Sequence, residues 1–156
     1  MGSHAADATQ VMQSLRRVVR MIRLADRDAQ GNHDLSAAQL YVLHSLASAP
    51  AASLAELAQR TLTDQSSVST VVAKLVAKKL VKRTPSAADR RRAELGLTAA
   101  GLRVVKHAPQ LIQTRIIEAV AAMPEAPRKE LVRSLARLVD AIGAKNVAPK
   151  MFSEES

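Results

Sequence analysis

Between Gln65 and Thr98 the chain changes its hydrophobic period once, and that change restricts the fold more than any other feature. In "QSSVSTVVAKLVAKKL" (Gln65 to Leu80), Val68, Val71, Val72, Leu75 and Val76 fall at i, i+3, i+4, i+7 and i+8, the stripe of a helix that buries one face. Two short β-prone runs follow, "LVKRT" (Leu80 to Thr84) and "ELGLT" (Glu94 to Thr98). The intervening "PSAADRRRA" is too long for a two-residue turn and predicts a projecting hairpin. Ahead of the helix, "SLAELAQRT" (Ser53 to Thr61) carries a Ser cap with Glu56 three residues on, which predicts a short helix opened by a capping box. "LTD" then turns the chain. Helix, turn, helix and basic-tipped hairpin is the order of a winged helix-turn-helix, whose second helix enters the major groove while the hairpin reaches toward the minor groove.

Charge agrees with that order. The formal charge is +9, and from Lys74 to Arg92 eight basic residues face one acid, Asp89, so most of the excess lies in one segment. Such clustering suits a polyanion, because each neutralised phosphate releases condensed counterions. A solvated basic face would show the same count. On the helix from Gln65 to Leu80, Ser66, Thr70, Ala73, Lys74 and Ala77 lie opposite the valine stripe. Small side chains there let a backbone approach base edges.

The remaining composition narrows the class. Apolar residues make up 47% of 156 positions, with one Tyr, one Phe and no Trp, so a mainly helical single domain is expected and an aromatic stacking platform for single strands is not. Without cysteine, disulfides, thiolate metal sites and thiol sensing are excluded. No apolar run reaches the roughly 18 residues that span a bilayer, and the N-terminus lacks a signal-peptide layout, so a cytoplasmic protein without membrane partners is expected.

Helices flank the central segment. Val11, Leu15, Val18, Ile22 and Ala25 predict a first helix from about Asp7 to Ala29, stopped by "GNHD". A second, capped by Ser36, runs through Leu40, Leu43, Leu46 and Ala47 and ends before Pro50. Thr98 caps a long helix in which Pro109 predicts a bend or break near His107 to Gln110. A last helix is predicted from about Pro127 to Ile142 with Gly143 as its stop, and a flexible tail beyond Ala144. The first and the last two helices carry apolar stripes too long for a domain of this size to cover alone. A second copy is the simplest cover, with Val11, Leu15, Val18, Ile116, Leu131, Leu135, Leu138 and Ile142 at the interface, and it would suit a two-fold operator.

The chain resembles the MarR family of multiple-antibiotic-resistance-type regulators. The resemblance rests on "LSAAQLYVLHSL" (Leu35 to Leu46), "LAELAQRTLTDQSSVSTVVAKLVAKKLVKR" (Leu54 to Arg83) and, most specifically, "DRRRAELGLTAAG" (Asp89 to Gly101). It implies an α+β fold that is mainly α: one MarR-like domain over 1–156, a winged helix-turn-helix lobe over 35–100, a helical dimerisation region over 7–30 and 101–143, and a tail over 144–156. It places Gln65, Ser66, Ser67, Ser69, Thr70 and Lys74 on the DNA face of the recognition helix. In the wing, Asp89 would orient Arg91 into the minor groove, while Arg90 and Arg92 face phosphates or anchor the wing's base. Three positions depart from the family pattern: Thr70 stands where a basic residue is common, Lys79 where a helix-ending glycine is usual, and "TLT" (Thr61 to Thr63) lacks a turn glycine.

The resemblance further implies a palindromic double-stranded operator and release of DNA by a small aromatic or phenolic acid, hence a ligand-responsive homodimeric repressor. Candidate ligand groups are His44 and Tyr41 on the second helix and Arg20 or Arg23 as the cation for a carboxylate, with Arg16 as a further choice. His33, Asp34, His44 and His107 have no metal-ligand spacing, and no cofactor is expected. No phosphate loop, nucleophile elbow or paired-His motif appears, so an enzyme is not expected. An architectural DNA-binding protein without effector or strong sequence specificity is the competing reading, and a protein-docking winged helix a further one.

Overall fold

The computed structural model describes residues 2–86, 93–108 and 111–149. In chain order these form helices α1 (Gly2–His33), α2 (Ala37–Ser48), α3 (Leu54–Arg60) and α4 (Gln65–Ala77), strands β1 (Val81–Pro85) and β2 (Ala93–Leu97), then helices α5 (Ala99–His107), α6 (Ile112–Ala121) and α7 (Glu125–Ala141). The core lies where α2, α3 and α4 meet the base of the hairpin. Leu40, Leu43, Leu57, Val68, Val72 and Leu75 are fully buried there, and the periodic stripe expected on α4 is the stripe that enters it.

The hairpin is pinned to the helices through a third segment. Its two strands pair antiparallel with Val81 opposite Leu97, Arg83 opposite Leu95 and Pro85 opposite Ala93. Ala51, in the connection between α2 and α3, exchanges two main-chain hydrogen bonds with Leu95, at 2.9 and 2.7 Å. The strands are set one residue later in β1 and one earlier in β2 than the sequence predicts, since Pro85 and Ala93 still pair.

Helix starts follow the cap chemistry. Ser36 and Gln39 close a reciprocal capping box on α2, at 3.2 and 3.1 Å. On α3, Ser53 Oγ accepts from Glu56 N, but the Glu56 carboxylate reaches back to Ala52 N rather than to the cap residue itself. Asp64 caps α4 and Thr98 caps α5. At the other ends, three helices stop in the same way. The residue after the cap turns left-handed, and two hydrogen bonds close back on the last turn: Leu62 (φ 53) after α3, Lys79 (φ 57) after α4 and Gly143 (φ 74) after α7. Only the last of these is a glycine, so α4 ends at Ala77 and not at Leu80.

The flanking helices differ from expectation in their limits. α1 is longer at both ends than the predicted Asp7–Ala29 span. The predicted break after α5 is present: Ala108 is extended (ψ 142), as a residue preceding proline must be, and a new helix starts at Ile112, while Pro109 and Gln110 themselves lie outside the described residues. α7 starts at Glu125 and accommodates Pro127 in its first turn, where the missing N–H has no helical partner to lose. Ala47, expected on the apolar face of α2, is exposed. Ala29 is the one buried residue of α1 among those described, and α7 has none. Residues 144–149 of the expected tail are described as turn and irregular chain, and 150–156 lie outside the described residues. No described helix is long and apolar enough to cross a membrane.

Candidate nucleic-acid interface

The outer face of α4 is built from its first turn. Asp64 accepts from Ser67 N at 2.9 Å, from Ser67 Oγ at 2.6 Å and from Ser66 Oγ at 2.5 Å. The Ser66 hydroxyl, followed by the Ser67 hydroxyl and N–H, holds the Asp64 carboxyl well below the usual carboxylate range. Asp64 therefore carries a full charge at neutral pH and fixes two serines at once. In the sequence Asp64 falls in the turn "LTD", and an Asp placed three residues before Ser67 is also a capping signal.

Of the six residues assigned to the DNA face, Gln65, Ser66, Thr70 and Lys74 are exposed and Ser69 is half-buried. Ser67 is not on that face. It is 3% exposed, one turn before Val71 on the core side, and its hydroxyl is committed to Asp64. Thr70 Oγ1 donates to Ser66 O at 3.2 Å, which leaves its lone pairs and methyl group outward. At the far end of the helix, Lys78 Nζ reaches the carbonyl and carboxylate of Asp34, tying the end of α4 to the α1–α2 junction. A second tie at that junction runs from Ala37 N to Asp26 Oδ1 at 3.1 Å.

Asp89, Arg90, Arg91 and Arg92, expected between the two strands, lie outside the described residues. The base of the hairpin is described, with Lys82 and Arg83 exposed. A cleft of about 480 Å³ opens between the first turn of α3, the start of α4 and the hairpin base, with Gln65 and Arg83 among its lining residues.

The candidate ligand groups are not gathered in one place. Arg20 and Arg23 lie along an exposed trough on α1 with Met12, Leu15, Val19 and Leu24, and neither Tyr41 nor His44 lines it. Tyr41 and His44 sit half-buried on α2. Burial pushes the Tyr41 hydroxyl up and the His44 imidazole down, and His44 Nε2 is buried with no hydrogen-bond partner. Among the described residues no three acids or histidines cluster as metal ligands would.

A recognition-type helix with a small polar outer face, preceded by a short helix and followed by a pinned two-stranded hairpin, defines a winged helix-turn-helix protein. Residues 33–92 match the model of the MarR family. No curated protein matches the chain in sequence. Among solved structures, BpsR of Bordetella bronchiseptica, whose DNA binding is regulated by 6-hydroxynicotinic acid, is 27% identical with a TM-score of 0.56 over 83% of this chain and 93% of that one. The transcriptional regulator BldR of Sulfolobus solfataricus is 24% identical with a TM-score of 0.56, covering 90% of this chain and 99% of BldR. MepR of Staphylococcus aureus, solved as a DNA complex, is 19% identical with a TM-score of 0.55 over 86% and 97% of the two chains. Residues 33–92 thus resemble the MarR family in sequence, and the winged helix-turn-helix fold is shared with solved regulators of that family.

Proposed function

We propose that the chain is a homodimeric, sequence-specific binder of a two-fold double-stranded operator, acting in the cytoplasm as a repressor that a small aromatic or phenolic acid releases. The observation that carries the DNA reading is the outer face of α4, where Gln65, Ser66, Thr70 and Lys74 stand exposed beside a basic hairpin base. An α-helix fits the major groove, and short hydroxyl and amide side chains can exchange hydrogen bonds with base edges there. The wing carries the second contact, with Asp89 orienting Arg91 toward the minor groove and Arg90 and Arg92 near phosphates.

Dimerisation is supported by apolar residues that a single chain leaves uncovered. Val11, Leu15, Val18, Leu135 and Ile142 are exposed, and Ile116, Leu131 and Leu138 are half-buried. For the effector, BpsR lends the chemical class, an aromatic acid. The half-buried Tyr41 and the unpartnered His44 Nε2 offer polar groups in an apolar setting, and Arg20 or Arg23 supplies the cation.

The test is enrichment of genomic fragments by the purified protein, followed by affinity measurements against the recovered sequence and random duplex at one fixed salt concentration. A preference of at least about a thousandfold is expected for a specific regulator. Equal affinity for all duplexes would leave an architectural protein. Added aromatic carboxylates should lower the affinity for the recovered sequence.

A further inference from the structure

We propose that the cleft between α3, the start of α4 and the hairpin base holds one backbone phosphate of the bound duplex, with the Arg83 guanidinium as its cation and Gln65 as a hydrogen-bond donor. The inference rests on the DNA-binding reading above and adds a residue and a chemistry to it.

Strand register carries the argument. Residues paired across an antiparallel hairpin share a face, so Arg83 stands on the same face as Leu95, and Val81 two residues away is on that face too. Val81 and Leu95 are each 2% exposed and belong to the core. Arg83 therefore points toward the helices from a position where the pattern of the hairpin asks for an apolar residue. Its neighbours Lys82 and Thr84 take the opposite face.

The space beneath the guanidinium is open because its walls are small. Ala52, Ala55 and Ala93 line it with Leu95, and among the described residues no acid does. The closest acid along α3, Glu56, is committed elsewhere, with one oxygen on Ala52 N at 2.8 Å and the other 3.7 Å from Arg60 Nε. Among the described residues the Arg83 guanidinium makes no ion pair or hydrogen bond. Arg83 is thus an exposed cation on the face that carries Val81 and Leu95, lining an open cleft where an anion can reach it.

The location selects the anion. Gln65 is both the first residue of α4 and a wall of the cleft. When the exposed face of α4 enters a major groove, the sugar–phosphate strand bordering that groove passes the start of the helix, over the cleft. The guanidinium fork matches two phosphate oxygens, and the Gln65 amide can donate to one of them. Such a contact sets the register of the protein on the duplex and reads no base.

The experiment uses the full chain and measures affinity for the enriched operator and for random duplex across a range of salt. Arg83→Ala should weaken both by the same factor and lower the slope of log affinity against log salt by about 1. Arg83→Lys should keep the slope and recover part of the affinity. A scan of single neutral methylphosphonate linkages along the operator should find one position that weakens the wild type but not Arg83→Ala. Thermal melts of each variant establish that it is folded, and Arg83→Gln gives the same readout should the alanine variant melt early. Wild-type binding with an unchanged slope in Arg83→Ala would overturn the phosphate contact alone. So would loss of inorganic phosphate binding in DNA-free Arg83→Ala with the DNA slope intact, which would make the cleft a small-anion site. Absence of wild-type binding to either duplex would overturn the DNA reading itself.

Discussion

A β-carbon on Gly101 would stand 2.2 Å from the main-chain oxygen of Leu80. That oxygen already accepts the Thr98 N–H at 3.0 Å and lies 3.2 Å from Thr98 Oγ1, which also donates to Lys79 O at 2.8 Å. The first turn of α5 is therefore laid directly on the chain joining α4 to β1, and the motif "LTAAG" (Leu97 to Gly101) has a mechanical meaning: Thr98 grips the junction while Gly101 leaves room for it. Gly101→Ala must push main chain against main chain. It is expected to destabilise the fold at the upper end of the roughly 1–3 kcal/mol seen for overpacking, read as a lower urea midpoint with an unchanged slope. A midpoint equal to wild type would mean that α5 is not seated on Leu80.

Lys79 offers the opposite prediction. Its φ of 57 is left-handed, a conformation that costs an L-residue roughly 1–2 kcal/mol and glycine almost nothing. Part of that gain is returned as unfolded-state entropy. Lys79→Gly should accordingly stabilise the protein by about 0.5–1 kcal/mol. Lys79→Ala, which removes the same charge and keeps the strain, should not. Chemical denaturation of the pair separates backbone from charge, and equal midpoints for the two would overturn the assignment.

Lys79 also marks the limit of what the sequence discloses. The buried stripe of α4 was readable because four valines and a leucine repeat at the helical period, and all but the half-buried Val76 are buried. The end of the helix was not, because its left-handed residue is a lysine and carries no glycine signal. Likewise Ser67 looked like its neighbours Ser66 and Ser69. Its inward position follows from phase relative to Val71, and a small hydroxyl held by Asp64 can occupy a core edge without a penalty. Arg83 is the clearest case. A shift of one residue in a strand reverses every side chain, so its inward face could not be read without the pairing to Leu95. The order of elements, by contrast, needed only period, caps and proline.

α7 predicts its own partner. A helix of 17 residues with none buried has little reason to form in isolation, since tertiary packing of an apolar face supplies most helical stability. Leu135 is 46% exposed and Ile142 68%. Leu135→Glu should convert a dimer to monomer at micromolar concentration in sedimentation equilibrium, and the wild-type melting temperature should rise with protein concentration. A wild-type protein that stays monomeric and folded at those concentrations would remove the dimer from the proposal.

His44 should make stability depend on pH in a definite direction. Half-burial on α2, with Nε2 enclosed and unpartnered, disfavours the imidazolium and lowers the pKa below the ordinary value near 6.5. The neutral ring therefore contributes stability that is fully present above about pH 6.5 and is lost as the pH falls through the lower folded-state value. Melting temperatures of the wild type should fall between about pH 6.5 and pH 5 more steeply than those of His44→Gln, which has no proton to take up in that range. If an aromatic carboxylate binds beside Nε2, it should raise the imidazole pKa and reduce the difference between the two proteins, because the ligand supplies the negative charge that the empty site lacks. Parallel pH profiles for wild type and His44→Gln would show that His44 is solvated in both states and would withdraw it from the effector site.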